Sequence, residues 1–486
     1  MLDCTVYADG AFAGFSNCCG QGGGPYNVET IGGRYGITIE SNSRFPILTG
    51  CRFIGQTAAS VGYHTSTQVP TLLVGCELKP TSTVAVDMTT QRSYAGINMV
   101  DCLIEVHPGG AIAGTRKPEN IHIEASYVRG AASIVPGGRR LPSGLTLVDH
   151  YSSTTERGVN LINGEQSTGE IIRWREVREA PSLQSFRGKH YRQVPCFDEE
   201  GVVNVKDFGA VGDGQVDDTA AFKQAIAASD KIFVPKGSFR LSGTLGLRAN
   251  THFFGLTRTY SSMGSGGGRR GRRGGVPDGG QVDADGAFSI VTVDSPDAAP
   301  GFSHLSLRGD LRWRSGNGTI MLAGGLPASI SGSGGGRFYG IVSMGRQRTL
   351  EGIQNPLSLY SLNVERVTQN PQFVLRDSRH IRIFYFKVES GTIQRANAGD
   401  ANTPAAIINC EDVHVCCMYG NVRGLEERPM LQIDNSTDIA VSQLKAFRPS
   451  TFPHLVETNG NVKNVIPSTK VVALFLRDTD RSSGNE

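Results

Sequence analysis

Short segments in which small or apolar residues alternate with polar ones recur at a nearly fixed interval in the N-terminal part of the chain. The segments GCRFIG, GCELKP and DCLIEV place Cys51, Cys76 and Cys102 at almost equal spacings, and EASYVRG places Ser126 one spacing further on. Alternation with period 2 is typical of half-buried strands, and a repeat of roughly 25 residues with one strand per period predicts a parallel β-helix. Successive coils would then stack the four residues about 4.8 Å apart. We expect free cysteines that pack as small apolar side chains, with disulfides or a metal as the alternative.

The C-terminal part of the chain repeats with a less even interval. The segments LRDSRHIRIFYFKVES, IINCEDVHVCCMYGNV and QIDNSTDIAVSQLKAF share an apolar residue, Asp or Asn, Ser or Cys, and then alternation. The interval from Ile381 to Val413 is longer than the interval from Val413 to Ile439, as expected for coils with inserted loops. The pattern predicts a first β-helix over residues 1–178, a charged linker over 179–200 and a second β-helix over 201–486.

The segment NVKDFGAVGDGQVDDTAAFKQAI, residues 204–226, has the pattern of a solenoid cap. A glycine-rich turn leads to Asp217 and Asp218, which we expect to cap a helix because acids satisfy free amides and complement the dipole at a helix start. The apolar residues of that helix fall on one face: Ala221, Phe222, Ala225 and Ile226. Such a face would cover the open end of the second helix. The alternative is a catalytic or calcium-binding cluster of four acids: Asp207, Asp213, Asp217 and Asp218.

Composition narrows the classes of function. The 62 glycines among 486 residues fit many short strands joined by tight turns. A formal net charge of +3 leaves no electrostatic footprint for nucleic acid, and we expect no membrane span because no stretch of eighteen apolar residues occurs. No cysteine spacing indicates a zinc or haem site, so we expect no metal and no cofactor. The N-terminus shows no signal peptide.

Residues 204–226 and the following IFVPKGSF resemble the opening motif of pectate-lyase-like β-helix proteins. That superfamily includes glycosidases, polysaccharide lyases, epimerases and phage tailspikes, so the resemblance implies the fold and leaves the reaction open. Residues 22–59 and 362–390 resemble segments of glycoside hydrolase family 55, the β-1,3-glucanases. This second resemblance implies an all-β fold of two tandem right-handed parallel β-helices and an extracellular location. Family members begin with an opening motif of their own, so we expect the first helix to be N-terminally incomplete.

Two glutamates, Glu365 and Glu389, are separated by the length of one coil. Their side chains should share one face of adjacent rungs, and glycoside hydrolysis uses two carboxyl groups. Repulsion between carboxylates this close should raise one pKa toward that of a general acid. The family resemblance implies that Glu389 is the general acid and Glu365 its support.

The same resemblance implies inversion of configuration, with Gln and Ser of the first helix activating water. The matching segments here offer Ser43, Ser66 and Gln68. Stacked rungs, by contrast, indicate the short carboxylate separation of retaining enzymes.

Three further residues are candidates for substrate binding. Tyr360 and Tyr385 would stack on sugar rings, and Arg382 would neutralise an acidic sugar. We predict a monomer that hydrolyses a glucan, most simply a β-1,3-linked one, in a cleft between the two helices. The alternatives are a polysaccharide lyase acting on uronates and a non-catalytic glycan-binding β-helix of the tailspike or adhesion type.

Overall fold

The computed structural model describes most of the chain, and the backbone it describes is a β-solenoid. The described residues are 2–16, 24–40, 46–64, 70–89, 96–115, 120–154, 158–257, 261–264, 288–322, 325–345, 347–365, 367, 371–392, 403–423, 429–446, 455–459, 462–467 and 470–478. They form about 15 turns of a pectate-lyase-like β-solenoid with two short α-helices. The predicted all-β parallel fold is therefore confirmed.

The N-terminal part forms one sheet of 15 strands in the described residues. Most neighbours are parallel and in register, so that Thr71 lies opposite Ile97 and Ile97 opposite Ile121. The sheet ends in two antiparallel pairings. Its strands are Leu2–Tyr7, Ala13–Ser16, Tyr26–Ile31, Tyr35–Ile39, Ile47–Thr49, Arg52–Ile54, Ala59–Tyr63, Thr71–Val74, Glu77–Lys79, Val84–Asp87, Ile97–Val100, Leu103–Gly114, Ile121–Ser133, Thr146–Ser153 and Glu170–Glu176.

The C-terminal part contributes a sheet of 13 strands, counted over the described ranges. Two of these strands, Gly158–Ile162 and Glu165–Ser167, belong to the N-terminal part of the chain. They join this sheet through the pairing of Gly158–Ile162 with Val471–Arg477. The strands are Gly158–Ile162, Glu165–Ser167, Val202–Asn204, Lys231–Val234, His252–Gly255, Gly301–Ser303, Thr319–Met321, Gly336–Met344, Leu357–Glu365, Arg379–Thr392, Glu411–Arg423, Thr437–Ala446 and Val471–Arg477.

Three smaller sheets complete the coils of the C-terminal part. The first holds Asp213–Asp217, Gly237–Arg240, Ser261–Gly264 and Ser306–Arg308. The second holds Thr244–Gly246, Ser289–Val291, Asp310–Trp313 and Ser329–Ile330. The third holds Arg348–Glu351, Phe373–Arg376, Ala405–Ile408, Leu431–Asp434, Leu455–Asn459 and Val462–Ile466.

The helical segments of the described residues lie at the junction of the two parts. The helix Leu183–His190 lies in the predicted linker, and its N-cap Ser182 accepts a hydrogen bond from the Ser185 amide at 3.2 Å. A 3-10 turn at Val205–Phe208 and the helix Thr219–Ala228 follow. No helix in the described part of the chain is long and apolar enough to cross a membrane.

The repeat seen in the sequence corresponds to a corner of each coil. A residue with left-handed backbone precedes each buried small residue of the first repeat: Gly50, Gly75, Asp101 and Ala125, with φ of 63°, 62°, 51° and 47°. In the second repeat Asp377, Asn409 and Asn435 occupy this position, with φ of 49°, 53° and 45°. Glycine, Asn and Asp tolerate this conformation best. The recurring Gly, Asp or Asn is therefore the turn.

The small residues after each corner form buried columns. Cys51, Cys76 and Cys102 are buried and free. The Cys102 amide donates to Ser126 Oγ at 3.0 Å, and the Cys410 amide donates to Ser436 Oγ at the same distance in the second repeat. Burial raises the pKa of the Cys76 thiol well above its ordinary value, as expected for an inert packing residue.

The helix Thr219–Ala228 covers the start of the C-terminal core. The four residues predicted on its apolar face are all buried, and the ring of Phe222 lies 5.6 Å from that of Phe239 and 5.8 Å from that of Phe253. The predicted capping role of Asp218 is wrong: its carboxylate accepts from the amides of Val211 and Gly212, at 2.7 and 3.2 Å.

Asp217 performs only part of the predicted capping. It accepts from the amide of Thr219 at 3.0 Å, at the first position of the helix. Loop amides thus compete with helix amides for this pair of acids. No group of three or more metal-ligating side chains suited to an ion occurs in the described ranges, so the calcium alternative finds no support there.

Phe222→Ala should lower the free energy of unfolding by about 3–5 kcal/mol, because it leaves a cavity beneath the covering helix. Denaturant unfolding followed by circular dichroism measures the change. Lys223→Ala, exposed on the same helix, is the matched control and should change stability by less than about 0.5 kcal/mol. Equal effects of the two variants would contradict the covering role.

Candidate active site

Two neighbouring strands of the C-terminal sheet carry the predicted glutamates. Leu357–Glu365 and Arg379–Thr392 pair in parallel, with Glu365 opposite Glu389 and Asn363 opposite Lys387. The structure therefore places the two glutamates on adjacent rungs, as their spacing of one coil predicts. Their catalytic roles remain predictions.

A bend in both strands sets the face on which these side chains lie. Ser361 and Tyr385 have left-handed backbone, with φ of 69° and 68°, and they lie at the same level of the stack. Beyond the bend Leu362, Val364, Phe386 and Val388 belong to the buried core. Alternation then directs the intervening residues outward.

A buried lysine lies between the two glutamates. Lys387 Nζ is 2.6 Å from Glu365 Oε1 and also forms an ion pair with Glu389 Oε2. The Asn363 side-chain amide donates to the same oxygen of Glu365 at 2.7 Å. Only 4% of the Lys387 side chain is exposed, against 13% for Glu365 and 36% for Glu389. Glu365 is thus the anchored carboxylate and Glu389 the accessible one.

The lysine changes the electrostatics expected from the sequence. Two carboxylates and one ammonium give the group a formal charge of −1, and the cation offsets the repulsion on which the predicted acid–acid coupling relied. Each charge-assisted bond is about 2.7–2.9 Å long, so the two bound oxygens lie within roughly 6 Å. Lys387 fills that gap. The two carboxyl groups therefore lie on the same side of the site rather than facing each other across it.

Sequence reasoning missed Lys387, although a signal for it exists. The residue stands two positions before Glu389, as Asn363 stands two before Glu365. On a strand this spacing puts both members of each pair on the same face. Tyr419 lies opposite Lys387 on the next rung. Asn363, Lys387 and Tyr419 thus form a polar column beside the two glutamates, and the spacing of two residues predicts its first two members.

The predicted sugar-stacking role of Tyr360 and Tyr385 is wrong, because both side chains are buried, with 0% and 1% of their surface exposed. The Tyr360 ring stacks between Tyr339 and Phe384, with centroids 4.5 and 4.9 Å away. It lies in an apolar cluster to which both parts of the chain contribute. These rings hold the two parts together and leave no face for a sugar.

The linker enters the same cluster through His190. The Tyr360 hydroxyl lies 2.9 Å from His190 Nδ1, and His190 Nε2 lies 2.8 Å from Asp101 Oδ2. Burial lowers the pKa of His190, so its neutral ring accepts from Tyr360 and donates to Asp101. Burial opposes ionisation of Asp101, yet the hydrogen bond from His190 and the charge of Lys189 hold its pKa below the usual value.

Arg382 contacts protein groups where the structure places it. Its guanidinium is 2.6 Å from Asp412 Oδ1 and donates to the Asp412 carbonyl at 2.9 Å, with 31% of the side chain exposed. A role in substrate binding stays a prediction. Ser43, Ser66 and Gln68 lie outside the described residues.

A second polar group at the junction was not foreseen. Glu124 of the N-terminal part lies 2.5 Å from His414 Nδ1 of the C-terminal part and 3.4 Å from His122 Nε2. Burial opposes its ionisation, but the charge of His414 and the hydrogen bonds of His122 and His414 hold the pKa of Glu124 well below its usual range. Such contacts depend on how the two parts dock, which no local pattern reveals.

Tyr360→Phe should lower the free energy of unfolding by about 1–3 kcal/mol, because it leaves a buried lone pair on His190 without a donor. Thermal unfolding measures the loss. Tyr7→Phe removes a hydroxyl from a side chain that is 77% exposed and should have no effect. An unchanged midpoint for Tyr360→Phe would contradict the structural role of this tyrosine.

Glu124→Gln should lower stability at neutral pH by about 3 kcal/mol, the scale for breaking a buried ion pair. The folded-state pKa is depressed, so the carboxylate contributes fully above its unfolded value of about 4.3 and loses this contribution as pH falls through the lower folded value. The deficit of Glu124→Gln should therefore shrink between about pH 5 and pH 2. Unfolding midpoints of both proteins across this range test it.

Asp149→Asn is the control for that series, because Asp149 forms a 3.8 Å surface pair with Arg175. Surface pairs of this kind contribute about 0–1 kcal/mol. A deficit of Glu124→Gln that stayed constant with pH would show that its cause is packing rather than charge.

Comparison with known proteins places a family match in the C-terminal part. Residues 202–274 match the family described as rhamnogalacturonase A/epimerase, pectate lyase-like. The chain is 45% identical over 49 residues to the pre-neck appendage protein of Bacillus phage B103, which is 10% of this chain and 6% of that protein. It is 42% identical over 64 residues to mannuronan C5-epimerase AlgE2 of Azotobacter vinelandii, 11% of this chain and 6% of the epimerase.

Alginate lyase 7 of the same bacterium is 51% identical over 45 residues, which is 8% of this chain and 5% of the lyase. The chain thus matches about a twentieth of the length of each of these relatives. Two of the three bear the names of carbohydrate-active enzymes. The matched segments and the strand topology agree on a pectate-lyase-like β-helix. The family match begins at residue 202, where the C-terminal solenoid starts.

Proposed function

We propose that this protein is a carbohydrate-active enzyme that hydrolyses a neutral glucan with the carboxyl groups of Glu365 and Glu389. The observation that carries the proposal is the pair of in-register carboxylates held by one buried ammonium. The likeness to family 55 glucanases makes a β-1,3-linked glucan the first substrate to test. An extracellular location and a monomeric state belong to the same proposal.

Exposure assigns the roles of the two glutamates. Glu389 is the more accessible carboxyl and would donate the proton to the glycosidic oxygen, as a general acid does. Glu365, fixed by Asn363 and Lys387, would remain anionic and stabilise the positive charge that develops on the sugar ring. Water would attack from the opposite side of the sugar and release its proton to bulk solvent as Glu389 protonates the leaving oxygen, and the product would have the inverted anomeric configuration that the family resemblance implies.

Charge favours a neutral substrate over a uronate. With Glu389 protonated as the acid, Glu365 carries the negative charge and Lys387 is already bound to it, while the guanidinium of Arg382 is paired with Asp412. A sugar carboxylate placed there would meet repulsion without a free cation in the described part of the site.

A uronate lyase or epimerase is the second candidate, because two of the relatives are named as an alginate lyase and a mannuronan epimerase. In this reaction a base removes a proton from the sugar, and a cation neutralises its carboxylate. Lys387 would have to serve as one of these groups, but its ammonium is already bound to two glutamates. The electrostatics of the site thus oppose this candidate.

Glu389→Gln should lower kcat on laminarin by about 10²–10⁴-fold with little change in KM, since it removes the transferable proton while keeping the shape of the side chain. Reducing-sugar release measures the rate. Glu411→Gln, an exposed glutamate on the neighbouring strand, is the matched control and should keep wild-type activity.

A panel of laminarin, other glucans and alginate separates the candidate functions. Products with unsaturated ends, detected by ultraviolet absorbance, would show that the enzyme is a lyase rather than a hydrolase. Binding without any product from the wild type would indicate a non-catalytic glycan-binding protein. Full activity of Glu389→Gln would overturn the assignment of the acid.

A further inference from the structure

Lys387 is the charged residue that the proposed reaction itself does not require. Its side chain is 4% exposed, yet it carries an ammonium whose burial is costly without partners. Its two described ion-pair partners are glutamates, one on the preceding rung and one on its own strand. A lysine placed only to fill space would not take this position, because an apolar residue packs there at lower cost.

We infer that Lys387 is a positioning residue that fixes the spacing and the orientation of Glu365 and Glu389. The structural role of Lys387 rests on the two ion pairs. Its role in catalysis rests on the proposed function. In-register strands place opposite residues about 4.8 Å apart, a distance at which two carboxylates repel. The ammonium bridges them and orders both side chains at once.

The other titratable groups around Lys387 leave this charge balance unchanged. Tyr385 lies at the bend of the same strand, and Tyr419 lies opposite Lys387 on the next rung. Burial raises the pKa of both phenols above the ordinary value, so both stay neutral over the working range of an enzyme. Neither phenol therefore adds a charge beside Lys387, Glu365 and Glu389.

Lys387→Met tests the inference through the dependence of kcat/KM on pH. Loss of the cation that bridges the two carboxyl groups should move the limbs of the pH–rate profile upward by about one unit or more. Lys387→Arg keeps the charge and should keep the wild-type limbs. A merely structural lysine would lower kcat in both variants and leave the limbs where they are, which would overturn the inference.

A second measurement needs no turnover. Lys387→Met leaves two neighbouring carboxylates without a counter-ion at pH 7, whereas at pH 4 protonation relieves their repulsion. The drop in its unfolding midpoint, relative to wild type, should thus be larger at pH 7 than at pH 4. Adding Glu365→Gln to Lys387→Met should recover part of the loss at pH 7.

The two measurements separate failure of the inference from failure of the proposed function. A wild type that turns over no glycan in the panel refutes the hydrolase, while the stability series still decides whether Lys387 holds the glutamates. A midpoint deficit that is equal at pH 4 and pH 7, without recovery in the double variant, overturns the positioning role whatever the substrate.

Discussion

In-register parallel pairing of successive coils is the constraint on which the rest of the structure depends. Each residue of one strand lies directly over its counterpart one coil earlier, about 4.8 Å away. Side chains at equivalent positions of successive coils therefore form a column and share the same surroundings. The columns bend together at five successive rungs with left-handed backbone: Gly340, Ser361, Tyr385, Cys417 and Gln443. One corner shared by five coils therefore separates a face that packs on the N-terminal part from a face that carries polar groups.

The contact between the two parts of the chain follows from the first of these faces. Stacked rings of Tyr339, Tyr360 and Phe384 meet apolar residues of the N-terminal sheet, with the linker residue His190 between them. Buried polar groups there have partners across the junction, as Glu124 has in His414 and His190 has in Asp101. Because these bonds are directional, they fix the relative position of the two parts more narrowly than apolar packing alone. The strand that supplies Tyr360 ends at Glu365, so this docking also orients the site.

The sequence predicts well which residues stack in columns, but it predicts poorly where the strands bend. Repeat intervals are sufficient to foresee the buried cysteines and the register of Glu365 with Glu389, since both follow from coil length alone. Counting by twos back from Glu389 also suggests an outward Tyr385, but the left-handed backbone at that residue resets the alternation and turns the ring into the junction. Asp218 does not cap the helix because loop amides bind it instead. The partners of His414 and His190 come from the other part of the chain, and no local pattern encodes them.

The same constraint explains why an acid pair in a solenoid needs a third residue. A glutamate above a glutamate is an unfavourable column for in-register strands, because like charges repeat at the strand spacing. A lysine two positions before one of them shares their face and lies within reach of both, and its buried stem packs beside the rungs. Asn363 and Lys387, one above the other, thus form a column that supports the column of Glu365 and Glu389. An acid pair without such a neighbour would have to separate its side chains or hold a proton between them. Here the buried lysine binds both carboxyl groups and so holds the two side chains close together on adjacent rungs.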